Sequence, residues 1–176
     1  MIGFFVVLVC DVLVTWALYL YMKQLNDNLS LLAAYFRLVY TAIFAVAILH
    51  LYQMLTILQN PNTAFTTQQI EVQALMSYDS FQLGWLIGLL FFGFHLLTLG
   101  YLILTTDHVP RAIGFLLVLA GIAYTADTFV RFGLPNYNDY KDIFVLLVAL
   151  PAAVGELSLC VWLLIQGFRK PQTRAK

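Results

Sequence analysis

The chain has 176 residues, 62% of them hydrophobic and 10% charged, with nine basic and nine acidic side chains that cancel and a mean hydropathy of +0.86. A soluble domain carries about 25% charged residues, so composition excludes a water-soluble fold. Without a basic excess, nucleic acid is not an expected partner. The expected partner is the lipid bilayer. Cys10 and Cys160 both fall in apolar runs with no metal-binding spacing, so they read as small packing residues, and neither a disulfide framework nor a metal nor another cofactor is implied. No Lys or Arg precedes the first apolar run and no small-residue cleavage site follows it, so that run is expected to persist as a helix.

A membrane helix needs about 20 mostly apolar residues. Five stretches qualify: Gly3 to Met22, Leu31 to Tyr52, Leu83 to Thr105, Ala112 to Val130 and Ile143 to Gln166. Strand-like alternation is absent, and backbone groups in lipid must be satisfied within their own segment, so the expected fold is all-α, a polytopic transmembrane helical bundle. Asn26-Asp27-Asn28 followed by Ser30 supplies a polar turn and an N-cap for the second helix, which Asn60-Pro61-Asn62 ends. Thr66 with Gln69 fits a capping box, and Ile70, Ala74, Tyr78 and Phe81 recur at helical spacing. This predicts a short interfacial helix around 67–80, or an extension of the third span. Pro110 suits the first turn of the fourth helix, and Gly133, Pro135 and Asn136 form the last loop. Residues 1–168 read as a single transmembrane domain and 169–176 as a basic tail.

Lys23, Arg111, Arg169, Lys170, Arg174 and Lys176 fall on one side of these spans, and only Arg131 and Lys141 on the other. Basic loops stay inside, so a multi-pass protein of the cell membrane is expected, its carboxyl terminus cytoplasmic and its amino terminus outside.

Charges at membrane depth are costly and normally face partners inside the bundle. The spans hold Asp11, Arg37, His95, Asp127 and Glu156. Counting about 1.5 Å per residue from the helix ends puts Asp11, His95 and Glu156 at one depth, with Arg37 a few ångströms shallower. This predicts a midplane cluster in which Arg37 pairs with Glu156 or Asp11 and His95 reaches the same group. Each residue shares a helical face with small side chains: His95 with Gly84 and Gly88, Arg37 with Ala33, Ala34 and Thr41, and Glu156 with Ala149, Ala152, Ala153 and Cys160. Pro151 should kink the last helix. His95 can be read as a neutral hydrogen-bonding core residue, as a relay or ligand contact, or as a metal ligand lacking a second His. Asp127 sits four residues before Arg131, the spacing of a simple ion pair, with Tyr124 as its hydrogen-bond neighbour. His50 and His108 should be solvated, and Arg111 in the turn Asp107-His108-Val109-Pro110-Arg111 could meet lipid phosphate.

Several segments carry a family likeness: residues 31–40 (LLAAYFRLVY), residues 91–101 (FFGFHLLTLGY), residues 109–114 (VPRAIG) with 120–124 (AGIAY), and Gly155-Glu156 with Trp162-Leu163-Leu164. In that order they resemble the bacterial multi-pass membrane family known as domain of unknown function 4386. The resemblance covers nearly the whole chain and implies a multi-pass membrane protein with no established activity. It also implies that Arg37, His95, Arg111, Tyr124 and Glu156 are the family's characteristic polar positions. Members of that family begin with one further basic-led helix, giving six spans; this chain starts at what resembles the second. A groove beside the first span would follow, and with it a tendency to form a homodimer.

Three functions fit these residues. The first is binding or passage of a proton, a small polar ligand or a lipid headgroup at the cluster of Asp11, Arg37, His95 and Glu156. The second is a structural or partner-binding subunit in which the cluster only sets helix packing. The third is an intramembrane enzyme acting on a lipid-like substrate, with His95 as base and Glu156 orienting it. No nucleophile elbow, zinc-protease motif or phosphate-binding loop supports catalysis.

Overall fold

A computed structural model describes residues 1–60, 65–133 and 141–168, with 141–145 described by backbone alone. Five helices account for nearly all of it: α1 (Ile2–Met22), α2 (Asp27–Gln59), α3 (Thr67–Leu104), α4 (Arg111–Gly133) and α5 (Lys141–Phe168). No strand occurs among the described residues, and all five helices are long and apolar enough to cross a membrane.

The segment around 67–80 is not a separate interfacial helix. It is the first part of α3, which runs unbroken for 38 residues. The reason is a seam of buried Ala74, Ser77, Phe81 and Gly88 with half-buried Gly84, spaced three and four apart, that lies against α2. Gln68, Glu71 and Asp79 sit on the exposed side and interrupt the apolar run without interrupting the helix. The expected Thr66–Gln69 capping box is present and starts α3. At 33 and 38 residues, α2 and α3 would measure about 50 and 57 Å, so both overrun a hydrocarbon layer of about 30 Å.

Within the expected polar turn it is Asn26 that caps α2, its side chain accepting from the Leu29 amide. The Ser30 hydroxyl instead donates to the Tyr19 carbonyl, and the Tyr19 hydroxyl donates to Asp27, so the α1–α2 turn is pinned from both sides. α2 ends at Gln59 with Asn60 as its C-cap. The rest of that expected turn, the loop residues Pro135 and Asn136, and the tail from 169 lie outside the described residues.

Consecutive helices pack side by side: α1 on α2, α2 on α3, α3 on α4, and α4 on α5. α3 and α4 approach each other backbone to backbone. A β-carbon at Gly100 would stand 2.8 Å from the Gly114 carbonyl oxygen, and one at Gly121 would stand 2.8 Å from that of Gly93. The two glycine pairs are seven residues apart on each antiparallel helix, so the contact recurs every second turn. Small residues at such positions let membrane helices approach backbone to backbone.

The outer helices are far less covered. Within their membrane windows 11% of α1 and 17% of α5 is buried, against 39% or more for α2, α3 and α4. α1 and α5 do not pack along their lengths among the described residues; Tyr21 and Trp162 meet edge to face at 6.0 Å near one end of the bundle. Cys10 and Cys160, read from the sequence as small packing residues, are exposed on these flanks and not in the core. Membrane helices tolerate apolar residues on both faces, and hydrophobicity alone did not distinguish the two.

Replacing Gly100 or Gly121 by Leu should wedge α3 from α4 and lower stability by about 1–3 kcal/mol. Gly3→Leu should change little, since a β-carbon there meets nothing within 4 Å. Thermal unfolding in mild detergent checks this; equal tolerance at all three positions would show that the close approach is not needed.

Candidate functional site

Asp11, Arg37 and His95 come together from three helices. Arg37 Nη2 donates to Asp11 Oδ1 at 2.6 Å, with the two side chains 15% and 11% exposed. The Arg37 Nη1 group lies 3.4 Å from His95 Nε2, and His95 Nδ1 lies 2.9 Å from the Ala33 carbonyl oxygen. A carbonyl can only accept, so the Nδ1 hydrogen points at Ala33 and Nε2 offers its lone pair to Arg37. Both ring nitrogens are thereby engaged. The guanidinium also stands 5.5 Å from the centre of the Phe92 ring, close enough for a cation–π contact.

Helix geometry explains the convergence. Ala33 and Arg37 are one turn apart on α2, so the histidine that bonds the first presents its other nitrogen to the second. Phe92 precedes His95 by three residues on the same face of α3, and its ring lies beside the imidazole at 5.7 Å. Tyr40, one turn beyond Arg37, packs on the other side of Phe92 at 4.9 Å. Phe92 and the Ala33 carbonyl escape a search for ionisable residues; the i, i+3 and i, i+4 spacings to His95 and Arg37 were the available signal.

Glu156 occupies a different position from the one expected. It is half-buried on α5 and within electrostatic reach of Arg37 and Asp11, yet among the described residues it has no ion pair or hydrogen bond. The buried stripe of α5 is Ala152, Gly155 and Leu159, not the predicted Ala149, Ala153 and Cys160. Gly155 lets α5 come close to Leu116 and Leu117 of α4, and this contact leaves Glu156 at the edge of the packed face. The expected choice between Asp11 and Glu156 as counter-ion of Arg37 therefore falls to Asp11. The histidine reaches the arginine instead of the carboxylate.

The Glu156 side chain opens onto a cavity of about 460 Å³ between α1 and α5. Arg37 and His95 form part of its inner wall, and Val14, Leu18, Leu96, Leu157 and Leu163 are among its apolar residues. Such a volume lies within the range of about 300–1,000 Å³ usual for small-molecule sites. Tyr124 does not line this cavity; its ring meets Phe92 edge to face at 5.7 Å, one layer behind the arginine. Its predicted neighbour Asp127 is paired with Arg131 at 2.9 Å, as the spacing implied. Arg111 lies far from the cluster in sequence and contact, bound to Asp107 at 2.8 Å on the exposed loop beside the exposed His108. His50 is only partly exposed. No group of three His, Cys, Asp or Glu side chains converges among the described residues.

Five membrane-length helices packed beside an internal charged cluster define a multi-pass membrane protein. The chain belongs to the family described as Domain of unknown function (DUF4386), which matches residues 1–167. It is similar to an "Uncharacterized protein" of Archaeoglobus fulgidus, at 28% identity over 166 residues that cover 94% of this chain and 82% of that protein. No solved structure matches it.

The hydrogen-bond pattern fixes the expected imidazole tautomer. Nitrogen NMR of the labelled side chain should find His95 neutral with its proton on Nδ1, and Ala33 as its acceptor. A proton on Nε2 would mean that Arg37 does not donate to the ring.

Proposed function

We propose that this protein binds an amphiphilic molecule within the membrane, taking it up through the lateral gap between α1 and α5. The observation that carries the reading is the cavity itself, apolar over most of its wall and carrying Arg37, His95 and Glu156 at one place. Binding sites of this kind combine an apolar body with a few convergent polar groups. A ligand diffusing in the bilayer would enter chain and all, without crossing water, because the two bounding helices are the least covered of the five.

Within this reading the polar residues divide into two roles. Asp11, Arg37 and His95 tie α1, α2 and α3 together and shape the inner wall, which supports a structural duty for these three. Glu156 faces the cavity with its hydrogen-bonding capacity free for a ligand. Catalysis gains no support from this geometry, since both nitrogens of His95 are engaged by Arg37 and Ala33, and Glu156 does not orient the ring.

Native mass spectrometry of protein extracted gently from membranes should find one single-chain amphiphile per polypeptide, and adding that compound should raise Tm. Leu163→Trp, which fills the cavity from α5, should abolish both effects. Identical retention and stabilisation in the filled variant would contradict the assignment.

A further inference from the structure

The charges buried among these helices are matched, with one exception. Asp11 and Arg37 are mutual counter-ions, and Asp127 is paired with Arg131. Glu156 alone has no partner among the described residues, although it stands against apolar walls. An isolated carboxylate in such surroundings carries one of the largest desolvation penalties in protein chemistry. Arg37 makes no hydrogen bond to it among the described residues: its Nη2 goes to Asp11, its Nη1 faces His95, and its Nε is buried without a partner. A carboxylate so placed is compensated either by a proton of its own or by a cation in the cavity.

Resting on the reading of this cavity as an amphiphile site, we infer that Glu156 anchors a cationic head group, so that the site selects amphiphiles bearing a protonated amine. The ammonium would donate its N–H groups to the carboxylate, a charge-assisted contact that strengthens where water is excluded. The apolar chain would lie between α1 and α5 along Leu157, Leu163 and Leu164. A carboxylate or phosphate head would meet Glu156 as a like charge, with the nearby arginine already neutralised by Asp11. An alcohol would bring a donor without the compensating charge.

Dodecylammonium, dodecanol and dodecanoate, added to the full chain in phosphatidylcholine nanodiscs, separate these outcomes. The expected result is a rise in wild-type Tm with dodecylammonium and binding about tenfold or more tighter than in Glu156→Gln, the scale of a hydrogen bond to a charged group. Dodecanol should not distinguish the two proteins, and dodecanoate should bind wild type no more tightly than Glu156→Gln, which lacks the like charge. Glu156→Asp, which keeps the charge but withdraws it by one methylene, should retain a reduced preference for the amine, and it decides the question if Glu156→Gln does not fold. Equal binding of all three heads would overturn the head-group assignment while leaving the cavity reading intact. No binding or stabilisation by any of them would overturn both.

Discussion

A single guanidinium, held by three helices inside a bilayer-spanning bundle, organises this molecule. Arg37 needs a counter-ion and further acceptors once it leaves water, and α1 and α3 supply them as Asp11 and the Nε2 of His95. Each of those groups is itself constrained: His95 by the Ala33 carbonyl, and the arginine by the ring of Phe92. α1, whose membrane window is only 11% buried, is thereby attached to the bundle through a charge as well as through packing. The pair is costly to desolvate, and its value lies in specifying which faces of α1 and α2 meet.

Having spent its charge on Asp11, the arginine leaves the second carboxylate of the cluster alone. That asymmetry is what turns a structural tie into a site. The close glycine contacts of α3 with α4, and of α5 with α4 at Gly155, draw these helices together, while among the described residues α1 and α5 meet at Tyr21 and Trp162 without packing along their lengths. The space left between them is the cavity, and Glu156 is its wall carboxylate with no ion pair among the described residues. Rigid close packing on one side and a gap on the other are consequences of where the small residues fall.

Much of this could be read from the chain. The number of spans, the all-helical class, the α3 capping box and the Asp127–Arg131 pair follow from apolar length, cap chemistry and i, i+4 spacing. The meeting of Asp11, Arg37 and His95 was legible because charge at membrane depth has few tolerable places. What could not be read was which carboxylate Arg37 would take, since equal depth says nothing about the order of helices around the bundle. The face of Glu156 was misjudged for a related reason: Ala149, Ala153 and Cys160 are small enough for packing but are exposed, and in lipid both sides of a helix are apolar. The glycines at 93, 100, 114 and 121 acquire meaning only when α3 and α4 are paired antiparallel. Polar residues between 68 and 80 suggested a boundary where the packing seam in fact continues.

Two double-mutant cycles, read from reversible unfolding in mixed micelles, test the pairing most directly. In the first, Asp11→Asn is combined with Arg37→Met; in the second, Glu156→Gln is combined with Arg37→Met. If Asp11 is the counter-ion, the first cycle should give a coupling of about 1.5 kcal/mol or more and the second no more than about 0.5 kcal/mol. A reversal of those magnitudes would place Arg37 on Glu156 and leave the cavity without its unpaired carboxylate.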